Sequence, residues 1–175
     1  MRVKKITELN RLSIAEFKEE PKIPLVVILD NIRSLNNIGS VFRSSDAFLV
    51  KSIYLCGITA TPPNVEIHKT ALGAEDSVEW RYFDNTGEAI AQLKKEQYII
   101  CAIEQAENSV MLNELNLNAD NNYAIILGNE VKGVPQQYVD MCDCCIEIPQ
   151  FGTKHSLNVS VAAGIVIWEF SKQLR

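Results

Sequence analysis

Apolar and polar positions along this chain follow two rhythms. Leu25 to Leu29 is continuously apolar, a run of strand length that needs cover on both faces. Ser52 to Cys56, Tyr98 to Glu104, Tyr123 to Leu127 and Cys145 to Ile148 read in the same way. Between these runs the spacing turns helical. Ile38, Val41, Phe42 and Ser45 share one face after Ser34, which predicts an amphipathic helix with Ser34 as its N-cap. A short helix-like segment near Thr70 to Asp76, a helix from about Thr86 to Glu96, a polar helix-like stretch around Asn108 to Leu115 and a short helix ending at Met141 fill the other intervals. Strands alternating with helices predict an α/β fold on a mainly parallel sheet flanked by helices.

The last helix, roughly Leu157 to Leu174, is apolar almost all round, through Val159, Val161, Ala162, Ala163, Ile165, Val166, Ile167, Trp168 and Phe170. Such a helix must be covered on every side, and a second copy of the chain is the expected cover, so a homodimer through this helix is predicted.

Composition narrows the class. With 175 residues, 47% of them hydrophobic, the chain can bury a core of its own: a short N-terminal extension over 1–22 and a single domain over 23–175. No apolar run approaches the roughly 18 residues of a membrane span and no signal-peptide pattern follows Met1, so the expectation is a cytoplasmic protein without a membrane partner. Five cysteines, two of them inside apolar strands, fit a reducing compartment. Cys142-Asp143-Cys144-Cys145 lacks paired C-x2-C spacing, so no metal is expected. The net charge of −5 argues against a uniformly basic grip on nucleic acid, yet Lys and Arg gather in the first 22 residues and recur at Arg33, Arg43 and Lys69, beside His68, enough for a local basic face.

Three segments carry candidate chemistry. Asp30 to Arg43 follows the first strand and places Asn37 and Arg43 near a crevice at a strand's carboxyl end, with Gly39 permitting close backbone approach. Taken alone, it is equally a capped helix with Arg43 in a surface ion pair. Gly128-Asn129-Glu130 sets a carboxylate at the tip of another buried strand, and Gly133 and Pro135 by themselves mark only a turn and a helix start. Ile148 to Ala162 is a loop feeding the last helix, with Ser156, Asn158 and Ser160 amid apolar residues; Asn158 needs a partner there. No G-x-G-x-x-G follows a strand, which disfavours a dinucleotide site or a flavodoxin-like phosphate loop.

These segments resemble, in type, order and spacing, the three motifs of the SpoU/TrmH branch of the SPOUT methyltransferases: N-x-G-x-x-x-R at Asn37 to Arg43, G-N-E-x-x-G at Gly128 to Gly133, and I-P-x-x-G with S-L-N-V-S-x-A from Ile148 to Ala162. The resemblance covers about Ile23 to Phe170. It implies a C-terminal trefoil knot, an exception to the rule that chains avoid knots, and S-adenosylmethionine held in that knot against Leu127, Gly128, Ile148 and Leu157. The implied activity is methyl transfer to a ribose 2'-hydroxyl of tRNA or rRNA, tRNA placed slightly ahead. Carried over position by position, the family's functional residues fall on Asn37, Arg43, Glu130, Ser156 and Asn158.

On this reading Arg43, whose guanidinium stays charged, clamps a substrate phosphate and steers the hydroxyl. Asn37 orients Arg43 or the ribose, Glu130 fixes loop geometry or Arg43, and Ser156 and Asn158 organise the loop. Glu66 to Ala74 resembles a segment bordering the RNA-facing side, though a helix cap with solvated basic residues explains it about as well. The competing readings are a non-catalytic RNA-binding protein that keeps the fold, and methyl transfer to a base nitrogen.

Overall fold

The structure is a computed structural model that describes residues 1–175, the Ile6 side chain excepted. Seven strands form one sheet: β1 (Ile23–Asp30), β2 (Val50–Cys56), β3 (Trp80–Phe83), β4 (Tyr98–Ile103), β5 (Val110–Met111), β6 (Asn122–Leu127) and β7 (Cys144–Glu147). Their order is β3-β2-β1-β6-β4-β7-β5, and all six pairings are parallel. A parallel sheet must be covered on both faces. One face packs Leu25, Val27, Leu29, Ile53 and Ile125 against α2 (Leu35–Ala47) and α7 (Val159–Leu174). The other packs Val26, Ile28, Ile100, Ala124 and Ile126 against Ala89, Ile90 and Leu93 of α5 (Thr86–Lys95). Alternate residues of one strand thus enter two cores, which explains why β1 and β6 read as unbroken apolar runs.

Local chemistry sets the helix boundaries. The Ser34 hydroxyl accepts the Asn37 N–H at the start of α2, as its spacing predicts. Asn85 caps α5 through Glu88 N. Gly39 lies where α2 crosses α3 (Val65–Ala71); a Cβ there would overlap Thr70 and the Ile67 carbonyl. The close approach the glycine allows is therefore helix to helix.

Several expectations change. The segment near Thr70 to Asp76 is two helices, α3 and α4 (Ala74–Ser77), broken by Leu72 and Gly73, both with left-handed backbone. Asn108 to Leu115 is no helix: Val110–Met111 pairs with β7 at the sheet edge and Leu112–Glu114 forms a 3-10 turn. Strand β3 was not expected, because at the opposite edge it is only half covered and its pattern is short and polar. The N-terminal extension carries α1 (Ile14–Glu19), closed by a capping box between Ser13 and Glu16, and it delivers Phe17 into the core. The short helix before Met141 is α6 (Gln136–Val139).

Helix α7 starts at Val159 with Asn158 as its N-cap. It buries Val159, Ala163, Val166, Ile167 and Phe170 while leaving Val161, Ile165 and Trp168 exposed, by 50%, 38% and 55%. Its apolar surface is therefore covered on one side only within this chain. No helix of the described residues is long and apolar enough to cross a membrane.

Candidate functional site

The sheet order brings the three motifs together. β1 and β6 are neighbours, with Leu29 opposite Leu127, so the loops that leave their carboxyl ends emerge side by side. This is where the chain switches direction across the sheet, with β2 and β3 on one side of β1 and β6, β4 and β7 on the other. β7 adds the third loop, which returns over the tips of β4 and β6 to begin α7, and α7 packs on α2.

A hydrogen-bond chain joins the loops. Glu130 Oε2 accepts the Arg33 N–H and Oε1 accepts the Ser34 N–H, both at 3.1 Å. Oε1 also accepts the Asn37 Nδ2 at 3.2 Å. The Asn37 Oδ1 in turn accepts the Asn158 Nδ2 at 3.2 Å, and the Asn158 Oδ1 accepts the Ser160 N–H and hydroxyl at 2.9 and 2.7 Å. Glu130, Asn37 and Asn158 thus tie all three motifs. Partial burial pushes the Glu130 carboxyl up, but its own backbone N–H, those of Arg33 and Ser34, and the Asn37 amide outweigh that and hold it below the ordinary carboxylate range. Asn129 secures the same junction, donating to the Asn31 carbonyl at 2.7 Å and accepting from Val131 N.

Beside this chain lies a cavity of about 750 Å³ between the loops after β4, β6 and β7, within the size of small-molecule sites. Leu127, Gly128, Ile148 and Leu157 all line it, as do Glu130, Ser156 and Asn158. Gly128 is required by packing: a Cβ would overlap the backbone of Gly133 and Val134 across the loop. Ile103, Val134, Val159 and Ala162 add apolar wall, and Glu104 adds a second carboxylate. The walls suit a ligand with a flat apolar part and a few polar groups.

Arg43 stands elsewhere. It is exposed on α2 and lines a separate hollow of about 440 Å³ with Ser40, Ser44, Ala47, Phe48, Lys69 and Thr70. The ion pairs among the described residues are Arg2–Glu8, His68–Glu75, Lys69–Glu66 and Lys172–Glu169, so Arg43 is free of the surface pair that its pattern also allowed. Neither Glu130 nor Asn37 hydrogen-bonds to it; their partners are backbone N–H groups, one another and Asn158. Lys69, from the segment bordering Ala74, shares the hollow.

Sequence reasoning missed Glu104. Its Oε2 accepts the Val134 N–H at 3.0 Å, and Gly133, with φ of 66°, lies so close that a Cβ would strike the carboxylate. Glu104 follows β4 as Glu130 follows β6, and the same sign, a carboxylate at the end of an apolar run, marks both. Asn31 and Thr59 were missed too. Asn31, with left-handed backbone, accepts Ile58 N, while Thr59 accepts Ile32 N and donates to the Leu29 carbonyl, holding the first loop at the strand tip. Among the described residues no group of three or more His, Cys, Asp and Glu side chains is placed to hold a metal ion.

Comparison with known proteins places this arrangement. The chain is 32% identical over 172 residues, 98% of its length, to the 23S rRNA (guanosine-2'-O-)-methyltransferase RlmB of Coxiella burnetii, covering 66% of that protein. It is 31% identical over 160 residues to the protein of the same name from Neisseria meningitidis, covering 91% of this chain and 62% of that one. The chain therefore spans just under two thirds of these relatives' length. Among solved structures, the TrmH/SpoU tRNA modifying enzyme of A. aeolicus superposes with a TM-score of 0.80 at 26% identity, over 91% of this chain and 81% of that one. An AdoMet-bound rRNA methyltransferase from Sinorhizobium meliloti does so with 0.80 at 25%, over 91% and 60%. The SpoU rRNA Methylase family model matches residues 24–168, which takes in the sheet, the cavity and all three motifs. By that match, and by relatives above 30% identity along nearly its whole length, the chain belongs to the SpoU rRNA methylase family.

Proposed function

We propose that this chain binds S-adenosylmethionine in the cavity lined by its second and third motifs and directs its methyl group to a ribose 2'-hydroxyl of RNA. The observation that carries the reading is the Glu130–Asn37–Asn158 chain, which ties the first motif to the two other motifs, whose loops line one cavity. The walls fit the cofactor: Leu127, Ile148, Leu157 and Ala162 suit an adenine face, and the Gly128 cradle brings backbone groups to the ligand. Bound there, the cofactor supplies a methyl group activated on a sulfonium. The chain's part is positional. Arg43 would hold a substrate phosphate and so steer the ribose hydroxyl, whose proton would pass to water as its oxygen takes the methyl group and the carbon–sulfur bond breaks to leave the thioether. Glu130 and Asn37 hold the first loop in register, and Ser156 and Asn158 shape the cavity's third wall.

The RNA favoured is ribosomal. Two of the relatives above 30% identity are named for 23S rRNA, while those from Staphylococcus aureus are named for tRNA/rRNA without a choice between them; although the A. aeolicus structure is named for tRNA, no curated relative supports placing tRNA ahead.

A homodimer belongs to this reading, as do a cytoplasmic location and a trefoil knot in the C-terminal segment. Exposed apolar side chains run along α7 from Leu157 at the cavity through Val161 and Ile165 to Trp168, which packs on Phe48 with ring centroids 5.5 Å apart. Phe48 lines the Arg43 hollow. Under a twofold axis crossing α7, the Trp168 end of one copy faces the Leu157 end of the other. The partner's arginine hollow then closes each cavity, which accounts for a charged residue so far from its own chain's cavity. Calorimetric titration with S-adenosylmethionine, with the oligomeric state measured by sedimentation, tests the arrangement. One cofactor per chain on a dimer is expected; a monomer without cofactor affinity contradicts it.

A further inference from the structure

Gln150 and His155 both line the cavity, and the chain between them is a loop of four residues that starts and ends at its wall. Residues 151–158 are all exposed, and Phe151 stands 97% exposed, an aromatic ring given almost wholly to water. The loop after β6, which also lines the cavity, carries similar side chains: Val131 is 76% exposed and is followed by exposed Lys132, as exposed Lys154 follows three positions after Phe151. The Phe151 loop is positioned, because Gln105 Nε2 donates to the His155 carbonyl at 2.7 Å and ties its far end to the tip of β4. A bare aromatic ring in a loop that also carries an exposed lysine matches one chemistry well, a nucleotide, with a base face for the ring and a phosphate for the lysine.

We infer that Phe151 is the stacking platform for a nucleobase of the RNA, at or next to the ribose presented to the cavity, with Lys154 and Lys132 meeting the flanking phosphates. This deepens the proposed function and rests on it. Stacking is indifferent to the edge of the base, so Phe151 sets position and the requirement for an unpaired nucleotide, while leaving base identity to other contacts. Holding the base fixes the ribose at the cavity mouth, which makes Phe151 a positioning residue.

The test uses the full chain and short single-stranded oligoribonucleotides carrying 2-aminopurine, whose fluorescence reports stacking without any methyl transfer. Wild type and Phe151→Tyr should bind and change the fluorescence. Phe151→Ala and Phe151→Leu should bind about ten-fold more weakly, within the range one stacked base contributes, and lose the fluorescence change. Cofactor affinity and sedimentation should be the same in all four. Equal binding by Phe151→Ala, or full retention by Phe151→Leu, overturns the proposal. A fall in cofactor affinity, or a changed oligomeric state in Phe151→Ala, also overturns it, assigning the ring to the cofactor or to a second copy. Failure of wild type to methylate any RNA refutes the methyltransferase reading separately, because the fluorescence readout does not depend on turnover.

Discussion

Asn158 donates its side-chain amide to the side-chain oxygen of Asn37 at 3.2 Å, across 121 positions of sequence. Since Asn37 passes its own amide hydrogen to Glu130, this one side chain acts as donor and acceptor at once, through the two separate ends of its amide. Asn37→Asp would replace the donor with a second carboxylate facing Glu130. Thermal unfolding should show a loss of about 1–3 kcal/mol, with cofactor affinity reduced; an unchanged melting curve would show that the chain contributes nothing to the loops' register.

Glu130 predicts a pH signature. Its carboxyl is held below its ordinary value of 4.5, because the N–H groups and the Asn37 amide outweigh the effect of burial. A group with a depressed folded pKa adds stability that is complete above the unfolded value and is lost as pH falls through the folded value. Denaturation curves between pH 7 and pH 3 should therefore be shallower below about 4.5 for Glu130→Gln than for wild type. Parallel curves would mean that Glu130 is not held in this way.

Gly128→Ala places a methyl group inside the backbone of Gly133 and Val134. The loop must open, at a cost of about 1–3 kcal/mol. Calorimetry should find cofactor affinity lowered by at least ten-fold, by about 1.4 kcal/mol or more. Retained affinity would place the cofactor outside this cavity.

Trp168→Glu sets a charge on the exposed apolar stripe of α7. Sedimentation should show monomers, and if a partner's Arg43 completes each cavity, methyl transfer should fall with the dimer while the fold, read by circular dichroism, is kept. A variant that stays dimeric would move the interface off this helix.

Much of the fold was legible because buried parallel strands leave an unmistakable apolar run, as at Leu25 to Leu29 and Tyr123 to Leu127. The edge strand Trp80–Phe83 was not, since half its residues face water and nothing in its pattern exceeds a loop's. At the site, Glu130 stood out because Gly128 and Asn129 separate it from its strand, whereas Glu104 follows β4 directly and reads as the strand's last residue. The six-residue spacing already sets Asn37 and Arg43 far round a helix from one another, and α2 carries them to different surfaces: Asn37 turns to Glu130 and Arg43 to the hollow beside Phe48. Motif membership gave the residues; only the α2 geometry separates those that hold the loops from the one left free.

The account's central claim meets its most direct test in the transfer of labelled methyl from S-adenosylmethionine to unmodified ribosomal RNA, followed by nucleoside analysis, for wild type and Arg43→Ala. Wild type should yield a 2'-O-methylnucleoside, and Arg43→Ala should lose turnover by about a hundred-fold or more, in line with the loss of a residue that fixes the reacting group, while still binding the cofactor. Label on a base nitrogen, or full turnover by Arg43→Ala, would contradict the account.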